Sequence, residues 1–141
     1  MATFVKYNQF AADLAGGVHD LIGTEHTLKV MLSNAAPNVG THAVRASAGE
    51  LAAGNGYTSG GNDIQNDGTA TAGTTTVTAV DTTFTASGGA IGPFRYAIVY
   101  NDTPTSPADP LIGYYDYGSA VTLADGETLT VDFGASLLTI A

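Results

Sequence analysis

His19, His26 and His42 are the only histidines in the chain, and histidine is the side chain whose ordinary pKa lies nearest neutrality. They are therefore the first candidates for acid–base or metal chemistry. None stands in a His-x-x-x-His or His-Glu-x-x-His spacing, which would set two ring nitrogens on one helical face around zinc. The spacing predicts ordinary surface or half-buried imidazoles and no metal. Serine offers no nucleophile elbow, because Gly-x-Ser-x-Gly occurs nowhere. Ser47, Ser59, Ser87, Ser119 and Ser136 lie in turn-like or cap-like surroundings. Thirteen acidic residues leave carboxylate pairs open as a hydrolase device, but most read as solvated, Glu127 and Asp132 among them.

Two polar segments imitate ligand loops. Gly54-Asn55-Gly56-Tyr57-Thr58-Ser59-Gly60-Gly61 has the glycine density of a phosphate cradle. It places Ser59 where the third glycine of a dinucleotide fingerprint belongs, and it lacks a Gly-Lys-Ser/Thr ending. Asp63, Asp67 and Gly68 match the first, fifth and sixth positions of a calcium loop. Gln65 is poor at the third, and Thr74 stands where the bidentate Glu should be. An Asp/Asn/Gly turn is the better description. No catalytic residue, metal or cofactor is expected.

What remains is aromatic. Tyr96, Tyr100, Tyr114, Tyr115 and Tyr117 fall on two neighbouring strand candidates. Successive strand residues face opposite ways, so Tyr114 and Tyr115 cannot both point inward. One sheet face presenting tyrosines to a protein partner, a carbohydrate platform, and a sheet buried on both sides all fit this pattern.

The elements that carry these residues are mostly strands. Glycine (18 of 141 residues) and threonine are abundant and lysine is rare, which favours strands and turns over helices. Thr128–Phe133 alternates cleanly, and Ala124-Asp125-Gly126-Glu127 joins it to Val121–Leu123, which predicts a hairpin with a type I′ turn. Phe94–Tyr100 is apolar on nearly both faces and reads as a central strand. Leu111–Tyr117 and Thr27–Leu32 follow, with Thr74–Val80, Thr82–Ala86 and Leu137–Ile140 weaker. Asn8 is placed to cap a helix through Ala15 that ends at Gly16-Gly17. Ser47-Ala48-Gly49-Glu50 fits a capping box for a second, two-turn helix. Gly54–Gly73 and Asn101–Pro110 read as long connections, the first with Tyr57 and Ile64 as its anchors.

These elements predict one all-β domain over residues 1–141: a jelly-roll-like or related antiparallel β-sandwich with one or two short helices. Residues 1–22 are expected to form an amino-terminal arm or short helix. The net charge is −9, and the four basic residues Lys6, Lys29, Arg45 and Arg95 are scattered singly. That excludes the clustered cations that phosphate binding requires and disfavours nucleic acid and anionic membranes as partners. No stretch reaches the roughly 20 apolar residues of a membrane span, and no secretory signal is expected at the amino terminus.

Several runs carry a resemblance. They are Asp13-Leu14-Ala15 with Val18-His19-Asp20-Leu21, Thr27 through Pro37, Glu50 through Thr58, Phe84 through Gly89, Ile91 through Ala97 and Leu111 through Gly118. Together they cover most of the chain, which resembles the small capsid decoration or cement proteins of tailed bacteriophages. The resemblance implies a head-stabilising protein on the outer capsid surface of the virion, made in the host cytoplasm. It further implies that the protein bridges major capsid protein subunits, often as a dimer or trimer. The family supplies no catalytic residue. Phe4, Val5, Tyr7 and Phe10 in the leading segment, Tyr57 and Ile64 in the long connection, and Tyr114 and Tyr115 are expected at the capsid or self-association interface. The alternative is a tail or fibre module that recognises host glycan through exposed tyrosines.

Overall fold

The computed structural model describes residues 3–141. Along the chain run β1 (Phe4–Lys6), α1 (Asn8–Ala15), β2 (Leu28–Ser33), β3 (Asn62–Asp63), β4 (Asp67–Thr71), β5 (Thr74–Thr78) and β6 (Thr82–Thr85). They are followed by β7 (Ile91–Asn101), β8 (Leu111–Leu123), β9 (Thr128–Val131) and β10 (Leu138–Ile140). Every strand pair is antiparallel. The expected antiparallel β-sandwich with a short helix is the fold. Its strands divide into sheets of five, three and two, not into the two four-stranded sheets of a jelly roll.

The five-stranded sheet, in the order β1-β8-β7-β2-β3, is the frame. Its middle strands are apolar on both faces and both faces are covered. Leu28, Val30, Leu32, Ala97, Val99 and Ile112 enter one core, while Met31, Tyr96, Ile98, Tyr100 and Leu111 enter a second on the opposite face. Leu111 pairs with Tyr100 and Gly113 with Val99, so Ile112 is an extra, bulged residue. The bulge resets the alternation of β8 and turns Tyr115 to the first core and Tyr114 to the second.

The two smaller sheets, β10-β5-β4 and β6-β9, close the first core from outside. Their inward residues Val77, Phe84, Val131 and Leu138 all join it. The second core is covered by the stretch that carries Val39 and Ala48, together with Tyr7.

Three expectations change. Thr128–Val131 is a strand, but it pairs with β6 instead of β8. The turn itself forms, with the Glu127 N–H bonded to the Ala124 carbonyl at 2.8 Å. Of its central pair only Gly126 has positive φ, whereas a type I′ turn needs both, so the strand leaves toward the second layer. The second helix is a single 3₁₀ turn, Arg45–Ser47. Gly49 has φ +68°, which stops helical propagation, and Glu50 bridges to Ser33 instead. Residues 54–73 are not a structureless loop, since they supply β3 and β4 and are pinned by buried Tyr57 and Ile64.

At the amino terminus the expected short helix forms, and residues 4–15 are built into the sandwich. β1 pairs with β8, setting Phe4 against Tyr115. The helix is where Asn8–Ala15 predicts it, with Phe10 in the core and Leu14 packed against it. Tyr7, not Asn8, occupies its N-cap, and no side chain caps it.

Candidate interaction surface

Most of the side chains expected to be adhesive hold the interior together. Tyr7, Phe10, Tyr57, Ile64 and Tyr115 are buried, and Phe4 and Tyr114 are half-buried. Val5, 38% exposed, alone among them is open to solvent. The physical reason lies in the central sheet: with both faces covered, aromatic residues on either face are core. Burial also raises the pKa of the Tyr7, Tyr57 and Tyr100 hydroxyls and pushes that of Tyr115 up to about 12.

The outward face of the second layer is of a different kind. Along β5, β6, β9 and β10 buried apolar residues alternate with outward threonines, and β4 adds Thr69 and Thr71 beside Asp67. Thr69, Thr76 and Thr139 stand opposite one another across β4, β5 and β10. Thr83 faces Thr130 with their hydroxyls 2.9 Å apart, and Thr85 faces Thr128. Apart from Asp67, these five strands carry no charged side chain. Val80, two residues beyond β5, is 54% exposed. Sequence reasoning registered the threonines as strand formers and missed them as a surface. The signal was their alternation with single apolar residues in runs free of charge.

Arg45 organises a polar hub beside the second core. Its Nε and Nη2 both donate to Glu50 Oε1, at 2.9 and 2.7 Å, and Nη2 also reaches the Ser59 hydroxyl at 2.9 Å. Nη1 lies 3.5 Å from Asp109, and the guanidinium sits over the Tyr100 ring. The other Glu50 oxygen accepts from the Tyr57 hydroxyl at 2.9 Å and from the Gly60 N–H. Tyr57 in turn accepts the Leu32 N–H of β2, and the Tyr100 hydroxyl donates to the Gly60 carbonyl. Desolvation pulls the Arg45 pKa down, and the Glu50 hydrogen bonds and charge more than offset it.

A shallow groove of about 290 Å³ runs beside this hub, lined by Arg45, Glu50 and Asp109 among others. Two carboxylates therefore flank one cleft, as a paired-acid hydrolase would need. Both Glu50 oxygens are already occupied as acceptors, so the carboxylate is committed to holding three segments together.

The histidines meet at the far end of β7. The buried Asn101 amide lies 3.0 Å from His19 Nδ1 and 2.9 Å from His26 Nδ1. His42 is elsewhere, with its Nδ1 accepting the Asn38 N–H. Among the described residues, no three His, Cys, Asp or Glu side chains are placed to hold a metal ion. Asp63 accepts the Gln65 N–H in an Asx turn, and Asp67 begins β4, so the calcium-loop reading gives way to a turn and a strand. No helix among the described residues is long and apolar enough to cross a membrane.

Fold and surface together define an antiparallel β-sandwich with a polar hub around Arg45 and Glu50 and with threonine-rich outer strands. No protein family, characterised protein or solved structure was found to match the chain, so the resemblance to phage decoration proteins rests on the sequence runs alone.

Proposed function

We propose that the protein is a non-catalytic virion structural protein that docks on the outside of a tailed-phage capsid and cements neighbouring major capsid protein subunits, alone or as a dimer or trimer. The observation that carries this reading is the threonine face. On a chain of net charge −9, a hydroxyl-rich sheet surface whose strands carry a single charged side chain, Asp67, meets another protein with little like-charge repulsion. Its hydroxyls can exchange hydrogen bonds with a partner's backbone and side chains. The sequence resemblance supplies the partner. A modest contact repeated over an icosahedral shell adds up, because each bridge that holds two subunits makes the next separation event intramolecular.

The glycan-binding alternative loses its motive, since the tyrosines it needed outside are buried or half-buried. Imaging purified empty heads of the cognate phage after mixing with the protein tests the proposal. Regularly placed density on the outer surface, at contacts between capsid subunits, is the expected result. Bare shells at saturating protein would overturn it.

A further inference from the structure

The cluster around Asn101 has a feature that a purely structural polar contact does not need: it works in one protonation state only. The Asn101 Oδ1 is committed, accepting the Thr103 N–H at 3.1 Å. Flipping the amide would set its NH₂ against that N–H, so the two amide hydrogens must point at His19 Nδ1 and His26 Nδ1. Both imidazoles are therefore acceptors at Nδ1. The Asp20 N–H also donates to His26 Nδ1, at 3.1 Å. A proton on either Nδ1 would turn an attraction into donor facing donor, inside a site where Asn101 is fully buried and His19 is 7% exposed.

Two further buried polar atoms at this site have no hydrogen-bond partner: His19 Nε2, a donor, and Asp13 Oδ2 on α1, an acceptor. The other Asp13 oxygen is held by Gln9 at 2.9 Å. The His19 ring packs on Phe10 of the same helix, with centroids 5.2 Å apart. The connection bearing the histidines starts at Gly16-Gly17, where Gly17, at φ +80°, ends α1.

We propose that His19, Asn101 and His26 form an acid-released latch. With both rings neutral it clamps residues 16–27, and α1 with them, to the end of β7; protonation breaks the clamp and lets this amino-terminal cap open locally.

The charged groups around the latch are defined. Asp13 faces His19 from α1, Asp20 lies in the same connection, and Asp102 follows Asn101, paired with Lys29 of β2 at 3.3 Å. Asp63 and Asp67 line the groove that His26 shares. Burial holds the His19 pKa down to about 4, with Asp13 opposing and His26 reinforcing the shift. An opened cap returns it toward about 6.5. The open form therefore binds the proton first, and opening becomes easier as pH falls from about 6.5 to 4. Released from Asn101, the imidazolium finds its counter-charge in Asp13.

Hydrogen exchange followed at several pH values, with protection factors corrected for intrinsic rates, tests the latch. Between pH 7 and pH 5, protection over residues 8–27 should fall about tenfold or more, while β2, β7 and β8 keep theirs. His19→Asn with His26→Asn supplies non-titrating acceptors near the two Nδ1 positions and should flatten the response. Asn101→Asp keeps an acceptor for Thr103 but offers carboxylate to both rings, which should reverse the sign so that protection rises in acid. If Asn101→Asp does not fold, the wild type and the double histidine variant decide the matter. Unchanged protection of residues 8–27 in wild type would overturn the latch, as would an equal loss in the double variant.

Discussion

The side chain that ties the most parts of this molecule together is Glu50. Through Arg45, Tyr57 and Gly60 it connects the 3₁₀ turn, the 54–61 segment and β2, and through Arg45 it reaches Asp109 in the loop before β8. The Glu50 side chain is 14% exposed and that of Arg45 26%, so the pair is only partly screened by water. Glu50→Gln removes the charge facing Arg45 and sets an amide donor among donors. We expect it to cost about 2 kcal/mol, read as a lower urea midpoint with an unchanged slope. The Arg95–Asp116 pair, solvated and also bidentate, is the contrasting case: Asp116→Asn should leave the midpoint nearly unmoved. None of this was legible beforehand. Arg45, Glu50, Ser59 and Asp109 are scattered along the chain, and only the fold brings them together.

Strands and turns were more readable than their partners. β2, β7, β5, β6, β10 and α1 lie within a few residues of where periodicity puts them, because apolar alternation reports burial directly. By contrast, β8 starts at the expected Leu111 but runs on to Leu123 and absorbs the separately expected strand Val121–Leu123. Pairing is another matter. The Asp125-Gly126 turn forms, yet β9 joins β6, since the backbone at Asp125 does not take the twist that would fold the strand back on β8. Whether the tyrosines face a partner or a core stayed open in the sequence for a related reason. Alternation tells that Tyr114 and Tyr115 face opposite ways but not that both sides of the sheet are roofed.

Gly68 illustrates a close approach that no pattern announces. Its N–H and carbonyl pair with Gly23, at 3.1 and 2.7 Å, tying the 16–27 connection to β4. A Cβ there would overlap the Leu21 carbonyl. Gly68→Ala should therefore destabilise by about 2–3 kcal/mol. Gly73→Ala meets no neighbour and carries only the strain of φ +85°, about 1 kcal/mol. Thermal or urea unfolding of the two variants separates steric overlap from backbone strain.

As one body, the protein is an acidic β-sandwich with one nearly neutral, threonine-rich side. Fold class and charge were legible from composition, because strand formers, turn residues and the excess of acids are properties of the whole chain. The neutral side was not, as it needs five strands brought into one layer. If this side makes the capsid contact, charging it should abolish docking and leave the fold intact. Thr69, Thr83 and Thr139 are all exposed and none is paired with another, so Thr69→Glu, Thr83→Glu and Thr139→Glu together burden no core position and set no two carboxylates directly opposite. Cosedimentation with purified empty heads, comparing wild type and this triple variant at matched secondary structure and melting temperature, is the decisive measurement. We predict saturable uptake of the wild type and binding weakened about tenfold or more in the variant, a penalty of about 1.4 kcal/mol or more from desolvating carboxylates at the contact. Equal uptake of the two proteins would contradict docking through the threonine face.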